Sequence, residues 1–165
     1  MMRRGLLALA LLALGGCGLR PLYGGGGGGA VAATLGSVTV SPIAGQQGWL
    51  IRNKLVERLG EAGSGTATYR LDVTLDDNIT TFGVRSNQAA TQERRTLRAR
   101  FQLVNLGNGM VVLDATAGSD ATLDIVSSEY ATVAAEQTAL ENLSETVADQ
   151  ITARVALFAS RTKTK

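Results

Sequence analysis

Arginine side chains concentrated between Asn78 and Val112 are the residues of this chain best suited to chemistry. Glu93 is the only acid in that interval. Because guanidinium is planar and permanently charged, it binds phosphate and carboxylate groups through paired hydrogen bonds. Arg98 and Arg100 alternate with apolar residues, so we expect both on the solvent-facing side of one strand. The sequence therefore indicates an anion-binding surface. Its members are Arg85, Arg94, Arg95, Arg98 and Arg100.

The following segment, from Asp114 to Ala153, carries the opposite charge. It contains eight acids and no basic residue. Because basic and acidic residues occupy separate segments, we expect the acids to lie away from the arginines. Ordinary solvated faces of a strand and a helix explain the same pattern, so both interpretations stay open. The acids are Asp114, Asp120, Asp124, Glu129, Glu136, Glu141, Glu145 and Asp149.

The chain lacks the residues that most catalytic and metal sites need. Histidine is absent and Cys17 is the single cysteine, which excludes a His-dependent triad, a Cys/His zinc site and an intrachain disulfide. Serine–lysine catalysis would depend on Lys54, on the polar face of a helix, or on lysines of the tail. The run Asp76 to Asn78 lacks the glycine and the terminal glutamate of a calcium loop. We therefore expect no enzyme activity, no cofactor and no metal site.

The N-terminus has the pattern of a lipoprotein signal peptide. Arg3 and Arg4 precede an uninterrupted Leu/Ala stretch, 6–14, which is shorter than the roughly 20 apolar residues of a membrane-spanning helix. Leu-Gly-Gly-Cys at 14–17 resembles the bacterial lipobox, which predicts cleavage after residue 16 and acylation of Cys17. Gly18 replaces the aspartate that retains lipoproteins at the inner membrane. The outer membrane is the expected destination, with the membrane contacted through the lipid anchor.

Signal cleavage changes the charge of the protein. The precursor has 16 basic and 14 acidic residues, and loss of Arg3 and Arg4 leaves 16 − 2 = 14 basic residues, a net charge of zero. A neutral protein outside the cytoplasm is a poor match for a nucleic-acid binder.

The mature chain divides into a tether, a domain and a tail. Six consecutive glycines at 24–29 lie within the predicted tether, 17–35, which would reach about 20 to 25 Å as a flexible coil. The predicted domain covers 36–160, and the basic tail covers 161–165.

Hydrophobic periodicity predicts six elements in the domain. A short edge strand at 38–40 stops before Pro42, and a helix after Gly45 ends near Gly60 or Gly63, with Trp49 in core or cap packing. Alternating residues predict strands at 69–76, 96–103 and 111–117.

The connections and the last element complete the predicted order β-α-β-β-β-α. We expect a loop at 82–91, a tight hairpin at Asn108-Gly109 and one long helix at about 128–160. The prediction is an α+β two-layer sandwich, with two helices packed on one face of a mainly antiparallel four-stranded sheet.

Four short stretches together resemble the LptE family, in particular its alphaproteobacterial form. They are Cys-Gly-Leu-Arg-Pro-Leu-Tyr at 17–23, Gly-Gln-Gln-Gly-Trp-Leu-Ile-Arg-Asn-Lys-Leu at 45–55, Thr-Gln-Glu-Arg-Arg-Thr-Leu at 91–97 and Ser-Glu-Tyr-Ala at 128–131. The resemblance covers nearly the whole mature chain, and it depends on the order of the stretches.

This resemblance implies an outer-membrane lipoprotein without catalytic activity. Members of the family pair with the β-barrel translocon LptD, plug its lumen and help deliver lipopolysaccharide to the cell surface. The ligand of the arginine surface would then be the phosphorylated part of lipopolysaccharide. Two other classes stay open: an auxiliary lipoprotein of a periplasmic lipid-transport ABC system, and a lipoprotein enzyme acting on the cell wall.

Overall fold

The computed structural model describes residues 30–60, 67–84, 90–126 and 128–162. Within these ranges the chain forms three helices and four strands. The helices are α1 (Ala30–Leu35), α2 (Gly45–Leu59) and α3 (Glu129–Thr162); the strands are β1 (Val38–Val40), β2 (Tyr69–Val84), β3 (Ala90–Asn105) and β4 (Val111–Asp124). None of these helices combines the length and hydrophobicity needed to cross a membrane.

The four strands form one sheet in the order β1-β2-β3-β4. β1 pairs with β2 in parallel, and the other two pairings are antiparallel. The α2 and α3 helices pack against the sheet, which confirms the predicted two-layer α+β sandwich. Odd-numbered residues of β2 and β3 face these helices, while even-numbered residues such as Arg98 and Arg100 lie on the opposite side, here called the open face.

The core lies between the helices and the odd-numbered strand residues. Apolar residues three and four apart place one stripe of α2 and one stripe of α3 against the sheet, where their burial supplies the main stabilising free energy. Fully buried large side chains in this layer include Ile51, Leu55, Leu71, Leu97, Phe101, Leu103, Leu140, Val147, Ile151 and Val155.

Glycines at the predicted positions define the C-terminal end of α2 and the turn of the β3–β4 hairpin. Gly60 follows α2 with φ of 81°, and Gly109 has φ of 71° in the hairpin turn. Both angles lie in the left-handed region that glycine adopts without a steric penalty. The hairpin closes through hydrogen bonds from the Asn105 N–H to Met110 O (2.9 Å) and from the Gly109 N–H to Asn105 O (2.8 Å).

The predicted tether, 17–35, is not flexible throughout. Its last six residues form α1, which packs near α3, and the Leu35 side chain is 4% exposed. This end of the predicted tether therefore packs as part of the domain, because burial of Leu35 stabilises a helix too short to persist alone. The signal peptide, Cys17 and the glycine run lie outside the described residues.

Three further predictions need correction. Trp49 is 63% exposed, because it lies off the α2 stripe that contains Ile51 and Leu55, so it is not core. Both ends of the predicted loop at 82–91 belong to strands, since β2 continues to Val84 and β3 begins at Ala90. In the basic tail, Arg161 and Thr162 continue α3.

Candidate anion-binding face

The predicted arginines occupy both faces of β3. Arg94, Arg98 and Arg100 are exposed on the open face, whereas Arg95 has the parity of the core residues and lies on the helix side. The five residues therefore do not form one surface. Arg85 lies outside the described residues.

Arg95 forms a structural ion pair beneath α3. Its Nη2 donates to Asp77 Oδ2 at 2.6 Å and its Nε to Asp77 Oδ1 at 3.0 Å, with side-chain exposures of 13% and 12%. A third, longer bond runs from Nη1 to the Glu136 carbonyl at 3.4 Å. The hydrogen bond with Asp77 raises the pKa of Arg95 above its ordinary value. Arg95 is therefore committed to the fold and is not free for a ligand.

Glu93 lies on the same side of β3 as Arg95. Burial raises the pKa of Glu93 above its ordinary value, and the neighbouring Glu136 carboxylate raises it further, while Arg95 acts in the opposite direction. This end of the sandwich therefore contains Asp77, Glu93 and Glu136 around one arginine. No group of three or more acidic, His or Cys side chains in the described ranges has the arrangement of a metal site.

Arg100 is paired on the open face. Its Nη2 and Nε donate to the two carboxylate oxygens of Asp114 at 2.8 and 3.2 Å, and Gln102 also donates to Asp114 at 2.8 Å. These bonds lower the pKa of Asp114 to about 2, Arg100 being the larger cause. Asp114 therefore remains ionised at neutral pH and occupies the guanidinium edge that an anionic ligand would use.

Arg94 and Arg98 are less constrained. Arg94 Nε lies 3.9 Å from Asp120 Oδ2, and its guanidinium carbon lies 5.5 Å from the centre of the Phe82 ring. No ion pair involving Arg98 occurs among the described residues, although Asp76 is its direct neighbour on β2. Arg98 is thus the arginine of this face most available to a ligand.

A depression of about 380 Å³ adjoins Arg98. Gly118, opposite Arg98 on β4, contributes to this depression by having no side chain; a Cβ there would lie 3.2 Å from the Leu97 carbonyl oxygen and 3.3 Å from Arg98 Cγ. Besides Arg98 and Gly118, its lining includes Thr74, Asp76, Arg100 and Thr116. This arrangement offers the Arg98 guanidinium and two hydroxyl groups to an anion, while the Arg100 guanidinium stays paired with Asp114 and the Asp76 carboxylate also lines the depression.

The expectation that the acids lie away from the arginines is wrong. Antiparallel pairing brings β4 beside β3, so Asp114 and Asp120 meet Arg100 and Arg94 across the strands, while Asp77 reaches Arg95 from β2. Sequence reasoning missed Asp77 as a partner, although it continues the parity of Leu71 and Leu75 and so belongs to the helix side.

Comparison with known proteins matches the chain to one family. The family model LptE, described as lipopolysaccharide-assembly, matches residues 35–155, which is more than half of the chain. Comparison with curated proteins gave no match.

Solved structures of bacterial lipoproteins share the fold. A lipoprotein from Caulobacter crescentus CB15 is 25% identical with a TM-score of 0.63, over 79% of this chain and 96% of that one. The minor lipoprotein from Acinetobacter baumannii is 14% identical with a TM-score of 0.56, over 73% and 91%. Rare lipoprotein B from Shewanella oneidensis is 9% identical with a TM-score of 0.52, over 77% and 96%. The last two show the fold alone. Because the family model matches residues 35–155, the chain belongs to the LptE family of lipopolysaccharide-assembly lipoproteins.

Proposed function

We propose that the protein is an outer-membrane lipoprotein that binds an LptD-type β-barrel as a plug, assists its assembly and helps deliver lipopolysaccharide to the cell surface without catalysis. Family membership over 35–155 is the observation that carries this proposal. The sandwich supports it physically, because the open face is polar and charged and so suits the polar interior of a large barrel.

Co-purification and depletion test this function. A tagged full-length chain should retain a large outer-membrane β-barrel after detergent extraction and crosslinking. Depletion should reduce lipopolysaccharide at the cell surface and leave the barrel misassembled. Normal surface lipopolysaccharide in depleted cells would refute the proposal, as would capture of an inner-membrane transporter in place of a barrel.

Cys17 is proposed as the site of the lipid anchor. The Leu-Gly-Gly-Cys stretch and the preceding charged and apolar segments support cleavage before it. Acyl chains contribute about 0.8 kcal/mol per buried CH₂, so several chains give stable anchoring. Mass spectrometry of the membrane fraction should find acylated Cys17 at the N-terminus. Intact Met1, or a Cys17→Ser protein that is still cleaved and membrane-bound, would contradict this assignment.

The open-face arginines are proposed to contact the anionic part of lipopolysaccharide. Arg98 is the main candidate because no described acid pairs with it, and Arg94 and Arg100 flank it. Well-formed charge-assisted hydrogen bonds contribute about 1.5–3 kcal/mol each, and exposed ones much less. Arg85 stays in the proposed ligand set on sequence alone, while Arg95 leaves it because of its pair with Asp77.

Lipopolysaccharide binding by variants of the full chain tests this assignment. The variant Arg98→Gln should bind lipopolysaccharide more weakly than the wild type. Arg70→Gln is the matched control, because Arg70 lies on the same face but pairs with Asp72 at 2.9 Å near the other end of β2. Equal weakening by both variants would show a general charge effect and overturn the assignment to Arg98.

A further inference from the structure

The β4 strand presents a long edge with little protection against pairing. Sheets commonly protect their edges with short strands, proline, charged side chains or bulges. At the other edge, β1 has three residues and is soon followed by Pro42. β4 has 14 residues without proline or lysine, and its register with β3 is continuous from Leu113 to Asp124. A further strand could therefore pair with β4.

Hydrogen bonds at Gly118 show which backbone groups face this edge. The Gln150 side-chain amide accepts from the Gly118 N–H (3.1 Å) and donates to the Gly118 carbonyl oxygen (3.2 Å) from the side of α3. Because backbone direction alternates along a strand, the N–H and C=O groups of Asp120 and Thr122 also point away from β3. Within the described ranges, no other strand or side chain bonds to those groups. Gln150 thus covers one step of the edge and leaves the next two open.

A mainly apolar groove of about 540 Å³ runs beside this open part of the edge, between β4 and the first half of α3. Its apolar lining includes Ala121 and Leu123 from the strand and Ala134, Ala135 and Ala139 from the helix, and the polar side chains of Thr138, Asn142 and Thr146 also border it. A strand added to β4 would lie about 4.8 Å away and direct every second side chain toward the helix layer. The small alanine side chains leave room for apolar side chains of moderate size.

Charge defines the other side chains of such a strand. They would lie on the open-face side next to Asp120, whose side chain is 61% exposed. Asp120 is only loosely paired within the protein, because its Oδ2 lies 3.9 Å from Arg94 Nε. Asp120 and Asp124 both have the open-face parity of β4, a strand without a basic residue, whereas the acids of α3 lie in the helix layer. Basic side chains on the incoming strand would therefore be stabilised. A second copy joined through its own β4 would instead place acid beside acid.

We propose that the β4 edge from Ser119 to Asp124, with the adjoining α3 groove, is a strand-addition site. Its occupant is an extended segment of a partner polypeptide that alternates basic side chains with apolar ones of moderate size. Main-chain hydrogen bonds to Asp120 and Thr122 give register, the groove accepts the apolar side chains, and Asp120 attracts the basic ones. The site is separate from the arginine-rich depression near Arg98.

Two peptides and two variants of the full chain test this site. The probes are peptides of about eight residues, one alternating Lys and Val and the other alternating Glu and Val. Thr122→Pro removes an outward N–H that β3 does not use, whereas Thr122→Val is the matched control that keeps it. We expect the Lys–Val peptide to bind the wild type and Thr122→Val within about twofold, and Thr122→Pro about tenfold more weakly.

Hydrogen exchange keeps the test decisive if Thr122→Pro fails to fold. Binding of the Lys–Val peptide to the wild type should slow exchange of the Asp120 and Thr122 amides and leave the β3 amides unchanged. The Glu–Val peptide should bind about tenfold more weakly. Absence of Lys–Val binding, unchanged exchange at both amides, equal binding by folded Thr122→Pro, or self-association of the chain through this edge would each overturn the proposal.

Discussion

At the residue scale, pairing within the protein limits how strongly the open face attracts anions. Asp114 holds Arg100 with two hydrogen bonds and competes with any ligand for the same guanidinium edge. Because the pKa of Asp114 is lowered to about 2, the stabilisation from this pair is fully present above the ordinary carboxyl pKa of about 3.9. It is lost only as the pH falls toward 2, so the competition persists at neutral pH.

Replacing Asp114 should therefore strengthen anion binding. We expect Asp114→Asn to bind lipopolysaccharide more tightly than the wild type at pH 7, since Arg100 is released and a negative charge is removed. Asp72→Asn is the matched control, because it frees Arg70 away from the depression. Affinity measured at two salt concentrations checks this result. Equal gains in both variants would contradict a specific role for Arg100.

The Arg95–Asp77 pair predicts a loss of stability without a role in ligand binding. Arg95→Ala leaves Asp77 without its two hydrogen bonds in a largely buried position. Removing one partner of a fully buried pair costs 3–5 kcal/mol, and the remaining exposure reduces the expected loss in the free energy of unfolding to about 1–3 kcal/mol. Urea unfolding measures this loss. An Arg95→Met/Asp77→Leu double variant should recover most of it, and failure to recover would point to a different role for Arg95.

At the element scale, the strands that bury one face against the helices are the part of the fold that the sequence predicts well. Leu71, Leu97 and Phe101 belong to alternating patterns that predict β2 and β3, because burial on one side enforces a period of two. The same parity places Arg95 and Asp77 on the helix side, so this detail was readable from the sequence. The distal part of β2 near Ile79 lacks the pattern, and pairing with β3 rather than side-chain burial defines it there.

Other features depend on tertiary contacts that no local pattern records. The α1 helix follows a glycine run and is only six residues long, so its stability comes from packing. The depression near Arg98 depends on which β4 residue lies opposite, and that register brings Gly118 there. Pairing of Arg100 with Asp114 likewise follows from register. Residue types alone indicated an arginine surface, but the distribution of its charges required the sheet.

Loss of the α1 contact should destabilise the domain. Leu35→Ala removes a side chain that is 4% exposed and packs in the core with Val38. We expect a loss of about 2–4 kcal/mol in the free energy of unfolding, from lost transfer free energy and the resulting cavity. Ala33→Gly, on the exposed side of the same helix, is the control and should cost about 1 kcal/mol. Similar losses in urea unfolding would show that α1 is not part of the core.

At the scale of the whole molecule, one helix unites the structure. α3 has 34 residues and so extends about 50 Å. It packs against α1, α2, β3 and β4, and its first half also forms one wall of the strand-addition groove. The open face remains on the opposite side of the sheet. The protein therefore separates a structural layer from a charged face, and the edge strand β4 adjoins both.

Because α2 and α3 share one core with the sheet, we expect a core defect in α3 to destabilise all of these elements together. Ile151 is fully buried in this core, and Ile151→Ala should lower the free energy of unfolding by about 2–5 kcal/mol. Leu157→Ala is the control on the same helix, since Leu157 is 45% exposed, and it should cost less than about 1 kcal/mol. Circular dichroism of the helices and hydrogen exchange of β3 should report the same loss for Ile151→Ala. If β3 kept its protection while helical signal was lost, the sheet would be stable without α3 and the shared core would not be one cooperative unit.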